Sequence, residues 1–148
     1  MTLNSPTLLS TPPDEAPGPR PAAVTVGSPE LAELLEAVAA GASERDATRT
    51  HPFEQIDLIR RARLGALRLP VEHGGGGASL RELLEVALLL GRADPNVAHI
   101  LRNHYAFVEN RLLRQRAAGP GAPLDRWLAK AADGLLFGLA STELGSAK

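Results

Sequence analysis

From residue 28 onward, apolar positions recur at helical spacing in blocks separated by proline and glycine. Leu31, Leu34, Leu35, Val38 and Ala42 form the first block. Ser28 stands before it as N-cap, Pro29 takes the first helical position and Glu30 places an acid in the first turn. The polar stretch 43–50 predicts that this helix frays or turns exposed at its end. Pro52 starts a second helix, with Phe53, Ile56, Ile59 and Ala62–Arg63 along one face and Gly65 placed to close it. Segment 66–79 contains Pro70 and four consecutive glycines and reads as a loop. Ser79-Leu80-Arg81-Glu82 is a capping box. The helix it opens carries Leu80, Leu83, Leu84, Ala87, Leu88 and Leu90, apolar on nearly every side, which predicts a central, buried helix. Asp94-Pro95 repeats the N-cap and first-turn signature. Val97, Leu101, His104–Tyr105, Val108 and Leu112 then form a long stripe, ended near Ala118 by Gly119-Pro120-Gly121. A fifth, short helix lies within 123–133, with Leu124, Trp127, Leu128 and Ala131 on one side and Gly134 as its stop.

The last apolar run, 135–140, follows a glycine and suits a short strand entering a buried sheet. A strand needs a partner, and no convincing second strand precedes it. The expected architecture is therefore all-α, an antiparallel helical bundle of five helices with one short C-terminal strand. Three regions result: a disordered Pro-rich tail over 1–27, a helical domain over 28–134, and the start of a missing β domain over 135–148. On this reading the chain is the first part of something larger. Leu135, Leu136, Phe137 and Leu139 are then left exposed, and removing everything after Asp133 should improve solubility. The tail follows from Pro6, Pro12, Pro13, Pro17, Pro19 and Pro21, which forbid a continuous helix, and from the little apolar surface there.

Composition narrows the classes. The 148 residues suffice for about one domain. Aromatics are 3% of the chain, so leucine, alanine and valine must build most of the core. A formal charge of −1 offers no general attraction to nucleic acid or acidic membranes. The absence of cysteine excludes disulfides, a thiolate nucleophile and cysteine-type zinc sites. No apolar run approaches the ~20 residues of a membrane helix. The N-terminus lacks the basic and apolar regions of a secretory signal, and a cytoplasmic location is the expectation.

Candidate chemistry is sparse. Gly74–Gly77 lacks the preceding strand and the Lys-Ser/Thr of a phosphate loop, and no βαβ unit frames it; it reads as a flexible or left-handed turn. His99 and His104 are five apart, whereas helical metal pairs favour i, i+4, and His51 and His73 are isolated, so no metal site is supported. His104 alone falls on an apolar stripe, where it either faces a pocket or is a hydrogen-bonded structural side chain. Arg60, Arg61 and Arg63, and Arg111, Arg114 and Arg116, are interleaved with acids and have no aromatic platform. They read as solvated helix faces and not as a nucleic-acid surface. Ser141-Thr142-Glu143 follows the apolar run and is either a turn or a contact for a polar ligand edge.

The order of these pieces carries a resemblance. Arg45-Asp46, Pro52-Phe53, the segment Leu67 to Gly77, Ala93-Asp94-Pro95-Asn96, Asn103-His104-Tyr105-Ala106-Phe107 and Leu136-Phe137-Gly138-Leu139-Ala140-Ser141-Thr142-Glu143 follow one another. This succession resembles the N-terminal helical domain of the acyl-CoA dehydrogenase superfamily, from roughly Pro29 to the end. Segment 67–77 is similar to the family's Leu-x-x-Pro-x-acid-aromatic-Gly-Gly-x-Gly turn, with His73 in the aromatic's place. Asn103-His104-Tyr105-Ala106-Phe107 most resembles the flavin-dependent monooxygenase branch related to dibenzothiophene and sulfone monooxygenases.

The resemblance implies the N-terminal part of a flavin-dependent oxidoreductase, acting by acyl-CoA dehydrogenation or by monooxygenation. It implies FAD or FMN as cofactor and an acyl-CoA or a sulfur or aromatic compound as small-molecule substrate. It also implies a homo-oligomeric intact enzyme. His104 would be the candidate catalytic-side residue, facing flavin and the oxygen pocket. Ser141, Thr142, Gly145 and Ser146 would contact the flavin, with Leu144 replacing the family proline. The alternative is a non-catalytic helical module for protein interaction.

Overall fold

Four of the six described helices begin where a side chain accepts from one of their first amides. The computed structural model describes residues 22–139. Helix α1 spans Pro29–Ala39, α2 Ala42–Thr48, α3 Phe53–Arg61, α4 Leu80–Ala93, α5 Pro95–Ala117 and α6 Arg126–Ala132. Two 3-10 turns, Leu64–Ala66 and Val71–His73, lie between α3 and α4. The Ser28 hydroxyl accepts from the Leu31 amide at 3.2 Å. At α4 the capping box closes both ways, Glu82 N–H to Ser79 Oγ at 3.2 Å and Ser79 N–H to Glu82 Oε2 at 2.7 Å. The first amides of α5 are held by Asp94 Oδ1, at 2.9 Å from Asn96 and 3.1 Å from Val97.

Two apolar clusters share α5, whose 23 residues run about 34 Å at helical rise. The larger joins α1, α3, α4 and the first half of α5 through Leu31, Val38, Ile59, Leu83, Leu90 and Leu101. The smaller packs α6 against the second half of α5 through Leu69, Val108, Leu112, Leu128 and Ala131. The first 3-10 turn sits between them and touches α3, α5 and α6.

Several expectations change. The packed region starts before Ser28: Val24 is buried in the larger cluster, and its amide bonds to the Ala62 carbonyl at 3.2 Å. The remainder of the expected tail, 1–21, lies outside the described residues. The polar stretch after α1 is a helix of its own, because Gly41 takes a left-handed conformation (φ 69°) that separates α1 from α2. Helix α3 stops at Arg61, short of Gly65. The left-handed residue is Arg63 (φ 55°), a conformation uncommon for a residue with a Cβ.

The glycine run is the left-handed alternative, with Gly74 and Gly77 at φ 78° and 67°, and it is packed rather than loose. The amides of Gly75, Gly76, Gly77 and Ala78 bond back to the carbonyls of Pro70, Ala66, Leu69 and Leu67. A Cβ on Gly75 would overlap the Leu69 backbone. Helix α4 is buried on one side only, through Leu83, Val86 and Leu90, while Leu84 and Leu88 are 58% and 66% exposed. It is a flanking helix with an apolar outer face, since α1 and α5 cover its other side. Among the described residues there is no strand, and 135–139 has no regular structure. Leu136 and Phe137 are nonetheless packed against the two clusters and are not bare ends.

Candidate functional site

The apolar stripe of α5 turns His104 inward, one turn after Leu101 and beside Tyr105, and leaves it with no exposed surface. Its Nε2 lies 2.9 Å from the Gly65 carbonyl oxygen, and its Nδ1 lies 3.1 Å from the Phe137 amide nitrogen. A carbonyl only accepts and an amide N–H only donates. The proton is therefore on Nε2, Nδ1 is bare, and the ring is neutral. Burial pushes the imidazole pKa below its ordinary 6.5, and the bond to the Gly65 carbonyl opposes this only in part. The adjacent Tyr105 hydroxyl donates to the Leu64 carbonyl at 3.1 Å, and burial pushes its phenol up, so it stays protonated. Two neighbouring side chains of α5 thus take two neighbouring carbonyls of one 3-10 turn.

Gly65 makes this approach possible. A Cβ there would stand 2.8 Å from His104 Nε2 and 2.7 Å from Leu136 Cδ2. On the other side of the imidazole lies the segment after α6. Gly134, left-handed at φ 88°, ends α6, with its amide on the Ala131 carbonyl and that of Leu135 on the Lys130 carbonyl. The chain then crosses α5 as a strap. The Phe137 ring stacks on His104, centroids 5.6 Å apart, and meets Phe107 at 4.7 Å and Trp127 edge-on at 5.9 Å. Arg111 lies over Phe107 and Arg126 over Trp127.

Two buried arginines, Arg63 and Arg68, brace the turn beneath this site, and the partly buried Arg45 ties the end of α1 to the start of α5. Arg63 donates to the Gly74 carbonyl at 2.5 Å and to the Ala132 carbonyl, which joins the glycine turn to the end of α6. Arg68 forms a fork on Glu109, Nε to Oε1 at 2.6 Å and Nη2 to Oε2 at 3.1 Å, and also donates to the Ala78 carbonyl. Arg45 donates to Asp94 Oδ2 at 2.8 Å and to the Val38 carbonyl at 2.6 Å. Burial acts to raise the Asp94 pKa, but the Arg45 bond and the Val97 and Asn96 amides outweigh it and hold the carboxyl below 3.8. Of the basic runs expected to be solvated, Arg60, Arg61, Arg114 and Arg116 are exposed, whereas Arg63 is 4% exposed. No periodicity marks these inward arginines, because each bonds to carbonyls or acids far along the chain.

Of the residues singled out for flavin contact, Ser141, Thr142, Gly145 and Ser146 lie outside the described residues. His104 is described, and both its nitrogens are occupied, so a ligand reaches the ring only when one bond opens. His51 and His99 both line a cleft of about 360 Å³, with Arg49 and Asn96. Among the described residues no three histidine or carboxylate side chains converge on a metal-sized site. An apolar groove of about 320 Å³ lies between α4 and α5, lined by Leu84, Ala87, Ala98 and Tyr105 among others. No helix among the described residues is long and apolar enough to cross a membrane. Comparison with protein-family models, with curated proteins and with solved structures finds no match.

Proposed function

We propose that this chain is the N-terminal helical part of a flavin-dependent oxidoreductase of the acyl-CoA dehydrogenase type. The carrying observation is the ordered succession of motifs from Arg45-Asp46 to Ser141-Thr142-Glu143. The helical body supports it. On this reading the helices are an antiparallel bundle of the family's N-terminal kind, and 135–148 opens a β domain. The substrate is an acyl-CoA or a sulfur or aromatic compound, and the intact enzyme is a homo-oligomer. FAD or FMN, when bound, supplies the redox chemistry. Ser141, Thr142, Gly145 and Ser146 would hold it, and His104 would shape the oxygen or substrate side while fixing the strap that leads to them.

The coding DNA immediately downstream tests the proposal directly. Continuation into the family's middle-domain pattern, in any frame, is the expected result, and its absence counts against the enzyme reading. The 148-residue chain alone is expected neither to retain flavin nor to turn over. Stoichiometric flavin absorbance in the purified chain, with activity, would overturn that expectation.

A second reading, a non-catalytic module that binds another protein, is favoured by the exposed Leu80, Leu84 and Leu88 along α4. A stable product of this length that captures a partner through that face would support it.

A further inference from the structure

We propose that His104 is a proton-operated latch that pins the strap 135–139 to the helical body and releases it on acidification. The latch belongs to this chain's own packing and requires no flavin. Beside the stack of its ring on Phe137, His104 holds the strap by one hydrogen bond, in which Nδ1 takes the Phe137 amide hydrogen at 3.1 Å. Its other nitrogen is committed to Gly65, whose carbonyl fixes the ring in place. A second proton on the ring has only Nδ1 to occupy. It would then point at the Phe137 N–H, so one attractive bond becomes two opposed donors. The Gly65 bond survives, since Nε2 keeps its hydrogen.

The surroundings favour the neutral ring. On α5 itself, Tyr105 is uncharged, and Glu109 is already held in the Arg68 fork. The residue leading into the 3-10 turn is Arg63, a cation engaged with the Gly74 and Ala132 carbonyls. Nearby on α3, Arg60 and Arg61 are exposed, as are Arg126 and Lys130 on α6 and Asp133 just after it. The strap 135–139 carries no titratable side chain. Burial is the main influence on the ring and it lowers the pKa from 6.5.

The sign follows from linkage. The unfolded or released ring takes a proton at a higher pH than the latched ring. The latch is fully closed above about 6.5, weakens as pH falls below that value, and is lost once the lowered pKa is passed. Release uncovers Phe107 and the edge of Trp127, between Arg111 and Arg126.

The chain has one tryptophan, so its emission reports on Phe137 directly. The test follows three signals on the whole chain from pH 8 to pH 4: the nitrogen shifts of His104, the exchange protection of the Phe137 amide, and Trp127 emission. Protection at Phe137 should fall at least tenfold, in step with protonation of His104, while the Leu101 amide stays protected. His104→Gln supplies the same donor and acceptor without a titratable proton. It should keep the strap closed and abolish the pH response. The proposal fails if Phe137 keeps its protection after His104 is charged, or if Phe137 and Leu101 lose protection together. It also fails if His104→Gln responds to pH as the wild type does. Should the variant not fold, the two amides of the wild-type chain still decide the matter.

Discussion

Gly65 and Gly91 are chemically identical, and their surroundings assign them opposite importance. Gly65 faces His104 Nε2 and Leu136 Cδ2 at distances no Cβ tolerates, whereas a Cβ at Gly91 meets nothing within 4 Å. Gly65→Ala must push the imidazole or the strap away, at a cost of about 1–3 kcal/mol for overpacking. Gly91→Ala, inside α4, should stabilise the fold by about 0.5–1 kcal/mol, since alanine loses less backbone entropy in a helix. Urea denaturation of the two variants checks both signs. The same dependence on surroundings governs the arginines. Arg60 and Arg63 are three residues apart, yet one is solvated and the other is sealed against two carbonyls. Nothing in the local pattern separates them, because the carbonyls that satisfy Arg63 arrive from residues 74 and 132.

Helix α4 shows how far a hydrophobic pattern can be read. Its leucines are numerous enough to predict burial all round, but α1 and α5 occupy one side only. Leu83, Val86 and Leu90 fill that contact, and Leu80, Leu84 and Leu88 face outward. Replacing Leu84 and Leu88 with glutamine should change stability by no more than about 0.5 kcal/mol each, as surface substitutions do. It should also reduce binding of an environment-sensitive dye such as anilinonaphthalene sulfonate. Leu90→Ala removes a fully covered side chain and should cost about 2–5 kcal/mol. A loss of that size at Leu84 would show that the outer face is buried in solution. The capping signatures of α1, α4 and α5 were legible in the sequence, because each links groups two or three residues apart.

Across the molecule, the strap changes the meaning of the C-terminal segment. Read from composition, 135–139 is apolar chain without a partner, and its removal should improve solubility. In the fold, Leu136 closes over the larger cluster and Phe137 over the smaller, and the Phe137 amide satisfies His104. Truncation after Gly134 should therefore destabilise the chain by about 2 kcal/mol or more, from lost apolar burial and an unsatisfied ring nitrogen. Thermal unfolding of the truncated and full chains checks it, and a raised or unchanged midpoint would restore the composition-based expectation.

The sequence by itself determined helices α1, α3, α4, α5 and α6, the N-caps of α1, α4 and α5, and the inward side of α5, including His104. These follow from periodicity and from hydrogen bonds within one turn, which a chain carries wherever it is placed. Only the tertiary structure decided which arginines are buried, which side of α4 is left bare, why Gly65 admits no side chain, and that His104 uses both nitrogens on Gly65 and Phe137. Those outcomes depend on groups tens of residues apart meeting at a few ångströms, and no spacing along the chain encodes which of them will meet.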